Sequence, residues 1–298
     1  LADVAKKLVR GQTSMSCEVF GPKEMKTLGM EAILGIARGS DEEPRFIHLS
    51  YKGGGGKTVC LVGKGITFDT GGLSLKDSKN METMKLDMAG AAAILGVFSV
   101  LPILKPNINV VGLIAATENM PGPKAIKPGD VVAAMNGKTI EILNTDAEGR
   151  VVLADALSYA GAKVKSDAIV DLATLTGACM VALGEEIAGM FTDDVTLAEE
   201  LERAATDSGE HIWSMPLARQ YKELVKSDVA DVKNISGTKY GGAINGALFL
   251  AEFAPLSVPW AHLDIAGPAF AEKDAPLTPK GGTGFGVRML LQWLLQEK

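Results

Sequence analysis

Two carboxylates in the segment NTDAEGR (144–150) have a spacing suited to binding a cation. Asp146 and Glu148 are two residues apart, and in an extended segment both side chains point to the same side. Oxygen ligands arranged in this way suit a hard or borderline divalent cation. Gly149 leaves space beside the pair, and Arg150 adds a permanent positive charge. The alternative is a surface loop whose acidic residue caps the helix that follows.

A second polar segment, GKGITFDTGGLSLK (63–76), follows an apolar run and contains Lys64, Asp69 and Lys76. Glycine-rich turns with lysine also occur in phosphate-binding loops of the pattern GxxxxGK[ST]. This segment does not contain that pattern. Residues 53–58 also lack it, because the first glycine would have to stand where Tyr51 stands. The sequence therefore favours a hairpin turn over 53–58.

A third candidate is Asp87 in MKLDMAG (84–90), which precedes a helical run of small residues. Its carboxylate could bind a cation or only complement the helix dipole. Met84, one turn earlier, could line a pocket or belong to the core. The fourth segment is LATLTG (172–177), and all four lie near predicted strand ends, where open α/β sheets place their sites. His48 and His262 lie inside apolar strands and are interpreted as hydrogen-bonded core residues.

The elements that must position these side chains alternate along the chain. Apolar runs predict strands over 46–51, 58–63, 108–117, 168–175 and 260–266. Helical patterns are found over 1–9, 84–100, 150–162, 196–207, 243–253 and 284–296. The first two strands are predicted to be neighbours joined by the glycine-rich turn 52–56, and Asn136-Gly137 predicts a hairpin within 131–143. This order indicates one α/β domain with a mixed, mostly parallel central sheet sandwiched between helices.

Bulk composition excludes several classes of protein. The chain has 298 residues, of which 47% are hydrophobic, and no uninterrupted apolar run approaches the roughly 20 residues of a membrane span. A net charge of −6 gives no support to a nucleic-acid surface. Three widely spaced cysteines suit a reducing compartment. Because the chain begins at Leu1, we expect a fragment or a processed product of a longer protein.

Taken together, these segments resemble the leucine aminopeptidase (cytosol aminopeptidase) family. NTDAEGR looks like the signature of that family. The blocks that resemble its other conserved segments, in the same order, are VGKGITFDTGGLSLK, MKLDMAGAAA, DLATLTGA and WAHLDIAG. The resemblance runs over the whole chain. It implies an enzyme that removes residues from the free amino ends of peptides, with a preference for apolar residues such as Leu.

The resemblance also implies a site with two adjacent divalent ions. Their ligands would be Lys64, Asp69, Asp87, Asp146 and Glu148, with Asp69 and Glu148 bridging the pair. The ions would be Zn²⁺, replaceable at one site by Mn²⁺, Mg²⁺ or Co²⁺. Lysine can coordinate only as a neutral amine, so the ions must lower its pKa far below the usual value of about 10.4. The bound ions would activate a water, and one of them would hold the substrate's amine.

Lys76 and Arg150 match the two catalytic cations of the family. Lys76 would stabilise the oxyanion. No free carboxylate or histidine remains as an obvious general base, and the resemblance implies that Arg150 acts through a bound bicarbonate that shuttles the proton. The substrate pocket would be formed by Met84, Thr174, Leu175, Gly177 and Ala266. Ala269 lies where some relatives carry a larger residue, which affects the preference.

The family's architecture implies further features of the intact protein. We expect the chain to be a C-terminal catalytic domain without the family's N-terminal domain, from a cytoplasmic protein that forms a homohexamer.

Three other functions have less support from the sequence. A DNA-binding role, known for some members, lacks support from the acidic balance. A nucleotide-binding domain lacks the phosphate-loop pattern, and an inactive scaffold is disfavoured because every ligand and both catalytic cations are present.

Overall fold

The computed structural model of the chain describes residues 1–296. Its strands are β1 (Met15–Phe20), β2 (Arg45–Tyr51), β3 (Thr58–Asp69), β4 (Asn109–Asn119), β5 (Val131–Ala133), β6 (Thr139–Glu141), β7 (Ala168–Ala173), β8 (Ile187–Phe191), β9 (His211–Ser214), β10 (Val232–Lys233), β11 (Trp260–Asp264), β12 (Phe270–Ala271) and β13 (Gly281–Gly282). Its α-helices are α1 (Ala2–Leu8), α2 (Pro22–Leu28), α3 (Glu31–Ala37), α4 (Ser78–Met81), α5 (Ala89–Leu104), α6 (Glu148–Lys163), α7 (Gly177–Leu183), α8 (Val195–Ser208), α9 (Gly242–Ala251) and α10 (Val287–Gln296). Two 3-10 helices span Met84–Leu86 and Arg219–Val225.

Eight of the strands form one sheet in the order β1-β2-β4-β3-β7-β11-β8-β9. The central pairs β4/β3, β3/β7 and β7/β11 are parallel, as is the edge pair β8/β9. The pairs β1/β2, β2/β4 and β11/β8 are antiparallel. The predicted mixed, mostly parallel sheet is therefore confirmed.

Helices cover both faces of this sheet, because the central strands are apolar on both sides. One core cluster joins the sheet to α5, α8 and α10, with Phe98, Leu201 and Trp293 among its fully buried side chains. A second cluster on the other face joins it to α3 and α6, with Ile33 and Val152 buried. The result is the three-layer α/β/α arrangement expected from the sequence.

The glycine-rich segment after β2 does not form the predicted hairpin. Strand β4 lies between β2 and β3 and pairs with both, so the two strands are not neighbours. The glycines instead pass close to the backbone that leads into β4. A Cβ at Gly53 would lie 2.2 Å from the Pro106 carbonyl oxygen, and one at Gly55 would lie 2.0 Å from that of Asn107. Close backbone approach, rather than a tight turn between paired strands, accounts for these two glycines.

The second predicted hairpin is confirmed. Strands β5 and β6 pair antiparallel, and Gly137 between them has φ +87°, a conformation that favours glycine. They belong to a separate three-stranded sheet with β10. Both core histidines are hydrogen-bonded as expected. His262 is fully buried with Nδ1 2.6 Å from Asp171, and His48 lies 3.1 Å from the Tyr159 hydroxyl.

One helical stretch of the described chain, Ser78–Leu104, is long and apolar enough to cross a membrane by length and composition. Half of its most apolar window is buried inside the protein (50%). Its α5 portion supplies Ile94 and Phe98 to the core. This is the pattern of a core helix.

Candidate metal centre

The five predicted metal ligands come from three segments, 63–76, 84–90 and 144–150, which meet at the end of β3. Lys64 lies within β3, because this strand continues beyond the predicted end at residue 63 as far as Asp69. The pairing of β3 with β4 is irregular between Ile66 and Asp69. Beyond that irregularity Asp69 is paired with Asn119, so the change of register re-aims the end of the strand where Asp69 enters the site.

The remaining carboxylates come from helix starts and a turn. Asp87 immediately precedes the N-terminal region of α5, and Glu148 is the first residue of α6. Asp146 lies in the turn before α6, so residues 146–148 are not extended as the sequence argument assumed. The side chains nevertheless meet. One oxygen each of Asp69, Asp146 and Glu148 lie within 4.8 Å of one another.

Lys64 joins this group to Asp87. Its Nζ lies 2.7 Å from Asp87 Oδ1 and 2.8 Å from Glu148 Oε1, and it donates to the Thr174 carbonyl oxygen at 2.9 Å. Burial by itself lowers the pKa of Lys64, but the Asp87 and Glu148 carboxylates outweigh burial and hold this pKa above its ordinary value. Without ions the amine is therefore protonated and neutralises part of the carboxylate charge.

Lys76 contacts the other side of the cluster. Its ammonium lies 2.9 Å from Asp69 Oδ2 and also contacts Asp146 Oδ1. The intervening turn contains Gly71 and Gly72, with φ +85° and +62°, and it brings the Lys76 backbone N–H to within 2.9 Å of the Thr70 carbonyl oxygen. Burial lowers the pKa of Lys76, but the Asp69 and Asp146 carboxylates raise it above the usual value. Lys76 is thus a fixed cation at the edge of the cluster.

The donor set fits divalent ions. Four carboxylates face the two ammonium groups, so the site would carry two excess negative charges with all four ionised. Burial raises the pKa of Asp87 to about 6 and that of Glu148 to about 8, so the buried site disfavours its own negative charge. Asp87 Oδ2 is buried without a hydrogen-bond partner among residues 1–296. A cation would supply both the missing charge and the missing partner.

Arg150 lies in the first turns of α6 and is buried. Its Nη1 donates to the Asn234 carbonyl oxygen at 2.8 Å, while its Nε has no partner in the described part of the chain. Burial lowers the pKa of Arg150 to about 10, and the nearby Glu148 opposes that shift. The group remains a cation at neutral pH, with one buried donor available to an anion.

Two residues of the predicted substrate pocket lie in the turn after β7. Thr174 is buried and its hydroxyl donates to Asp87 Oδ1 at 2.7 Å, so it contacts the metal cluster directly. Leu175 is half-buried, and its backbone N–H donates to Asp264 Oδ1 at 3.1 Å. Ala266, after β11, donates to the same oxygen at 3.2 Å. The structure thus brings Thr174, Leu175 and Ala266 together beside the cluster.

The other two predicted pocket residues are placed less directly. Gly177 is the first residue of α7 and is exposed, and a Cβ built on it would meet open space. Met84 lies half-buried in the first 3-10 helix. Its connection to the site is a backbone one, since the Asp87 N–H donates to the Met84 carbonyl oxygen at 3.4 Å.

Sequence reasoning missed a buried amide at the centre of the cluster. Asn119 Nδ2 donates to Asp69 Oδ1 at 2.8 Å and to the Thr145 carbonyl oxygen at 3.0 Å, and lies 3.4 Å from Glu148 Oε2. It therefore orients two of the predicted ligands. Asn119 ends the apolar strand β4, and a polar residue at the carboxyl end of a parallel strand is the signal that could have identified it.

A second missed residue, Asn234, supports the predicted signature segment. Its side-chain oxygen accepts from the Leu143 and Asn144 N–H groups at 2.9 and 3.3 Å, and its Nδ2 donates to the Asn144 carbonyl oxygen at 2.6 Å. The backbone carbonyl oxygen of Asn234 accepts the hydrogen bond from Arg150 Nη1. Asn234 lies in a loop about 90 residues further along the chain, and no local pattern in that loop signals the contact.

Comparisons with known proteins identify the family of the chain. Residues 1–291 match the model described as cytosol aminopeptidase family, catalytic domain. A probable cytosol aminopeptidase of Synechococcus sp. (strain JA-3-3Ab) is 55% identical over all of this chain, and that of Aquifex aeolicus is 50% identical over 99% of it. The chain spans 58% and 60% of the length of these two relatives.

A solved structure shares the fold. The bottromycin maturation enzyme BotP is 42% identical, with a TM-score of 0.93 over 99% of this chain and 64% of its own. Its complex with Mn gives a TM-score of 0.94 at the same identity, over 99% of this chain and 65% of that one. From the family match and these identities, the chain belongs to the cytosol aminopeptidase family, as the sequence segments predicted.

Proposed function

We propose that this chain is the catalytic domain of a metal-dependent aminopeptidase that releases apolar residues, Leu among them, from the amino ends of peptides. The observation that carries the proposal is the convergence of Lys64, Asp69, Asp87, Asp146 and Glu148 in one buried cluster flanked by Lys76. Membership of the cytosol aminopeptidase family supports the same reaction.

The five clustered residues would hold two divalent ions, with Asp69 and Glu148 shared between them. When bound, such ions supply Lewis-acid chemistry that makes water a nucleophile near neutral pH. Zn²⁺ is proposed for the pair, with Mn²⁺, Mg²⁺ or Co²⁺ at one position, and the Mn complex of BotP supports Mn²⁺. Lys64 must lose its proton to become a ligand, so metal affinity is expected to rise with pH.

The two remaining cations have separate roles. The Lys76 ammonium is held in place by Asp69 and Asp146 and would stabilise the negative oxygen that develops on the scissile carbonyl. Arg150 would hold a bicarbonate through its Nε, which has no hydrogen-bond partner among residues 1–296, and such an anion would supply a proton acceptor. A separate base is needed because the four clustered carboxylates would serve as metal ligands.

The substrate side chain would lie against Met84, Thr174, Leu175, Gly177 and Ala266. An apolar wall recognises a side chain mainly through buried area, at about 25 cal/mol per Å². Side chains that differ by one methylene are then separated by only about 1–3 kcal/mol. We therefore expect broad activity on apolar N-terminal residues and very little on Asp or Glu, whose charge would remain unpaired.

For the intact protein we propose a cytoplasmic homohexamer in which this chain forms the C-terminal catalytic domain, acting on peptides with a free amino end. The greater length of the relatives supports a longer protein. Sedimentation of the full-length protein tests the assembly, since six copies per particle are expected and a monomer would contradict it.

The function is tested with leucine p-nitroanilide and its N-acetylated form. Hydrolysis of the free-amine substrate should be lost on treatment with a chelator and return when Mn²⁺ or Zn²⁺ is added. Acetylation removes the amine's lone pair and should abolish turnover with the metals in place. Equal rates on the two substrates would show that the site does not read the amino end, and the aminopeptidase proposal would then be abandoned.

A further inference from the structure

A buried carboxylate at the end of β11 fastens together two loops of the proposed substrate pocket. Asp264 is 1% exposed, and its Oδ1 accepts backbone N–H bonds from Leu175 at 3.1 Å, Thr176 at 3.4 Å and Ala266 at 3.2 Å. Its Oδ2 accepts the Thr176 hydroxyl at 2.6 Å. Two loops that are about 90 residues apart in sequence thus share one acceptor.

Asp264 is stabilised by these donors and by electrostatic attraction to the nearby Arg150 guanidinium. Among residues 1–296 no cation lies within ion-pair distance of its carboxylate. The Thr176 hydroxyl bond, at 2.6 Å, has the short distance typical of a charged acceptor, and the three longer backbone bonds add to it. A buried carboxylate in this position is costly to retain unless the donors stay in place. The geometry of the two loops is therefore coupled to Asp264.

The turn after β7 is fixed at its other end by the metal cluster. Thr174 donates its hydroxyl to Asp87 at 2.7 Å and receives Lys64 on its carbonyl oxygen at 2.9 Å. The turn also packs closely on α9, since a Cβ at Gly246 would lie 3.1 Å from Leu175 Cδ2 and 3.2 Å from Thr176 Cγ2. Residues 174–176 therefore connect the proposed reaction centre to the proposed pocket wall.

We propose that Asp264 is a positioning residue that sets the width of the specificity pocket by holding the turn 174–176 at a fixed distance from Ala266. The inference rests on the proposed aminopeptidase function and deepens it. Asp264 acts through the backbone of Leu175 and Ala266, which would line the pocket, and not through contact with the substrate. Loss of the acceptor should widen the pocket and leave the metal ligands in place.

The test compares Asp264→Ala with the conservative Asp264→Asn in the intact protein. The readout is the ratio of kcat/KM for N-terminal Leu to that for N-terminal Ala, together with the Mn²⁺ content. In Asp264→Ala the ratio should fall about tenfold or more, with the change mainly in KM, because a loose wall buries less of the leucine side chain. Asp264→Asn keeps an acceptor oxygen and should recover the ratio to within about threefold of wild type.

A matched control separates pocket geometry from general destabilisation. Asp155 is a fully buried carboxylate in α6 that accepts the Ile33 and Met135 N–H groups at 2.8 Å each. Asp155→Ala removes a comparable acceptor away from the pocket. It should lose stability but keep the Leu to Ala ratio of the wild type. An unchanged ratio in folded Asp264→Ala, or an equal fall in both alanine variants, would overturn the proposal.

Two further measurements keep the proposal testable. If Asp264→Ala does not fold, Thr176→Val removes the hydroxyl bond to Asp264, together with the bond that this hydroxyl accepts from the Cys179 N–H at the start of α7. It should lower the ratio about threefold, and no change in the ratio would overturn the proposal. If the wild type itself has no aminopeptidase activity, the proposed function fails, and amide hydrogen exchange still tests the positioning. Exchange at Leu175, Thr176 and Ala266 should be faster in Asp264→Ala than in wild type, and equal protection would show that Asp264 does not hold the two loops.

Discussion

Gly149 lies against the end of the buried Lys64 side chain, so a methyl group added at Gly149 would displace the lysine. A Cβ at this position would lie 2.5 Å from Lys64 Cε and 2.6 Å from Lys64 Nζ, whereas ordinary van der Waals contacts begin at 3.4 Å. Gly149→Ala therefore forces the end of the Lys64 side chain to move by about 0.9 Å. A movement of that size is enough to lengthen its contacts of 2.7 Å to Asp87 and 2.8 Å to Glu148 beyond hydrogen-bonding range.

The lysine has little freedom to avoid this displacement, because it is only 3% exposed and has three partners in the cluster. Loss of correctly placed ligand geometry typically lowers metal affinity by about 10–100-fold. We expect a loss of this size for Mn²⁺ in Gly149→Ala, measured by isothermal titration calorimetry, with a parallel fall in activity at limiting metal. The free energy of unfolding of the metal-free protein should change less than the free energy of Mn²⁺ binding. Alanine favours the helix by about 1 kcal/mol over glycine, and this gain offsets part of the cost of displacing Lys64.

Gly161→Ala is the matched control because it makes the same substitution in the same helix. Its Cβ would lie 3.1 Å from Pro255 Cβ, at a surface away from the cluster. The control should bind Mn²⁺ as the wild type does. Mn²⁺ affinity in Gly149→Ala within about threefold of the wild type would refute the reasoning, because it would show that Lys64 moves without cost or does not contribute to metal binding.

Two other predictions concern charge. Lys76→Ala should lower kcat about 10²-fold with metal content intact, while exposed Lys79→Ala should not; near-normal activity would remove Lys76 from catalysis. Burial raises the pKa of Asp155 to about 7, so the native state binds a proton that the unfolded chain releases above about pH 4. The stability from this proton is lost as pH rises through about 7. Asp155→Ala should therefore lower the free energy of unfolding, measured in urea, by about 3 kcal/mol. The loss should be larger at pH 5 than at pH 8, and the opposite trend would contradict this assignment of the proton.

The sequence by itself determined the elements and the chemical identity of the candidate site. Alternating apolar strands and helices predicted the layered fold, because a sheet covered on both faces must be apolar throughout. Asp146 and Glu148 could be assigned to a cation site from their spacing together with the resemblance to the cytosol aminopeptidase family, since the spacing alone also fitted a loop that caps the following helix. The Asn136-Gly137 hairpin was also readable, since its turn conformation depends on two adjacent residues.

Local patterns do not contain the order of strands in the sheet, and that order was the source of the wrong expectation. The segment before β3 was predicted to form a hairpin because the strands on either side of it are close in sequence. In the structure β4 lies between those strands and pairs with both, so its backbone N–H and C=O groups are bonded on both edges. The glycines at 53 and 55 then serve close packing on residues 106–108.

Only the tertiary structure decided how the candidate site is held together. Asp146 and Glu148 were expected to converge through an extended segment, yet they converge because a turn leads into α6 beside the end of β3. The supporting residues Asn119, Asn234 and Asp264 contact the site across separations of 26 to 90 residues. Their roles depend on hydrogen bonds between distant segments, and such bonds exist only after the sheet has brought those segments together.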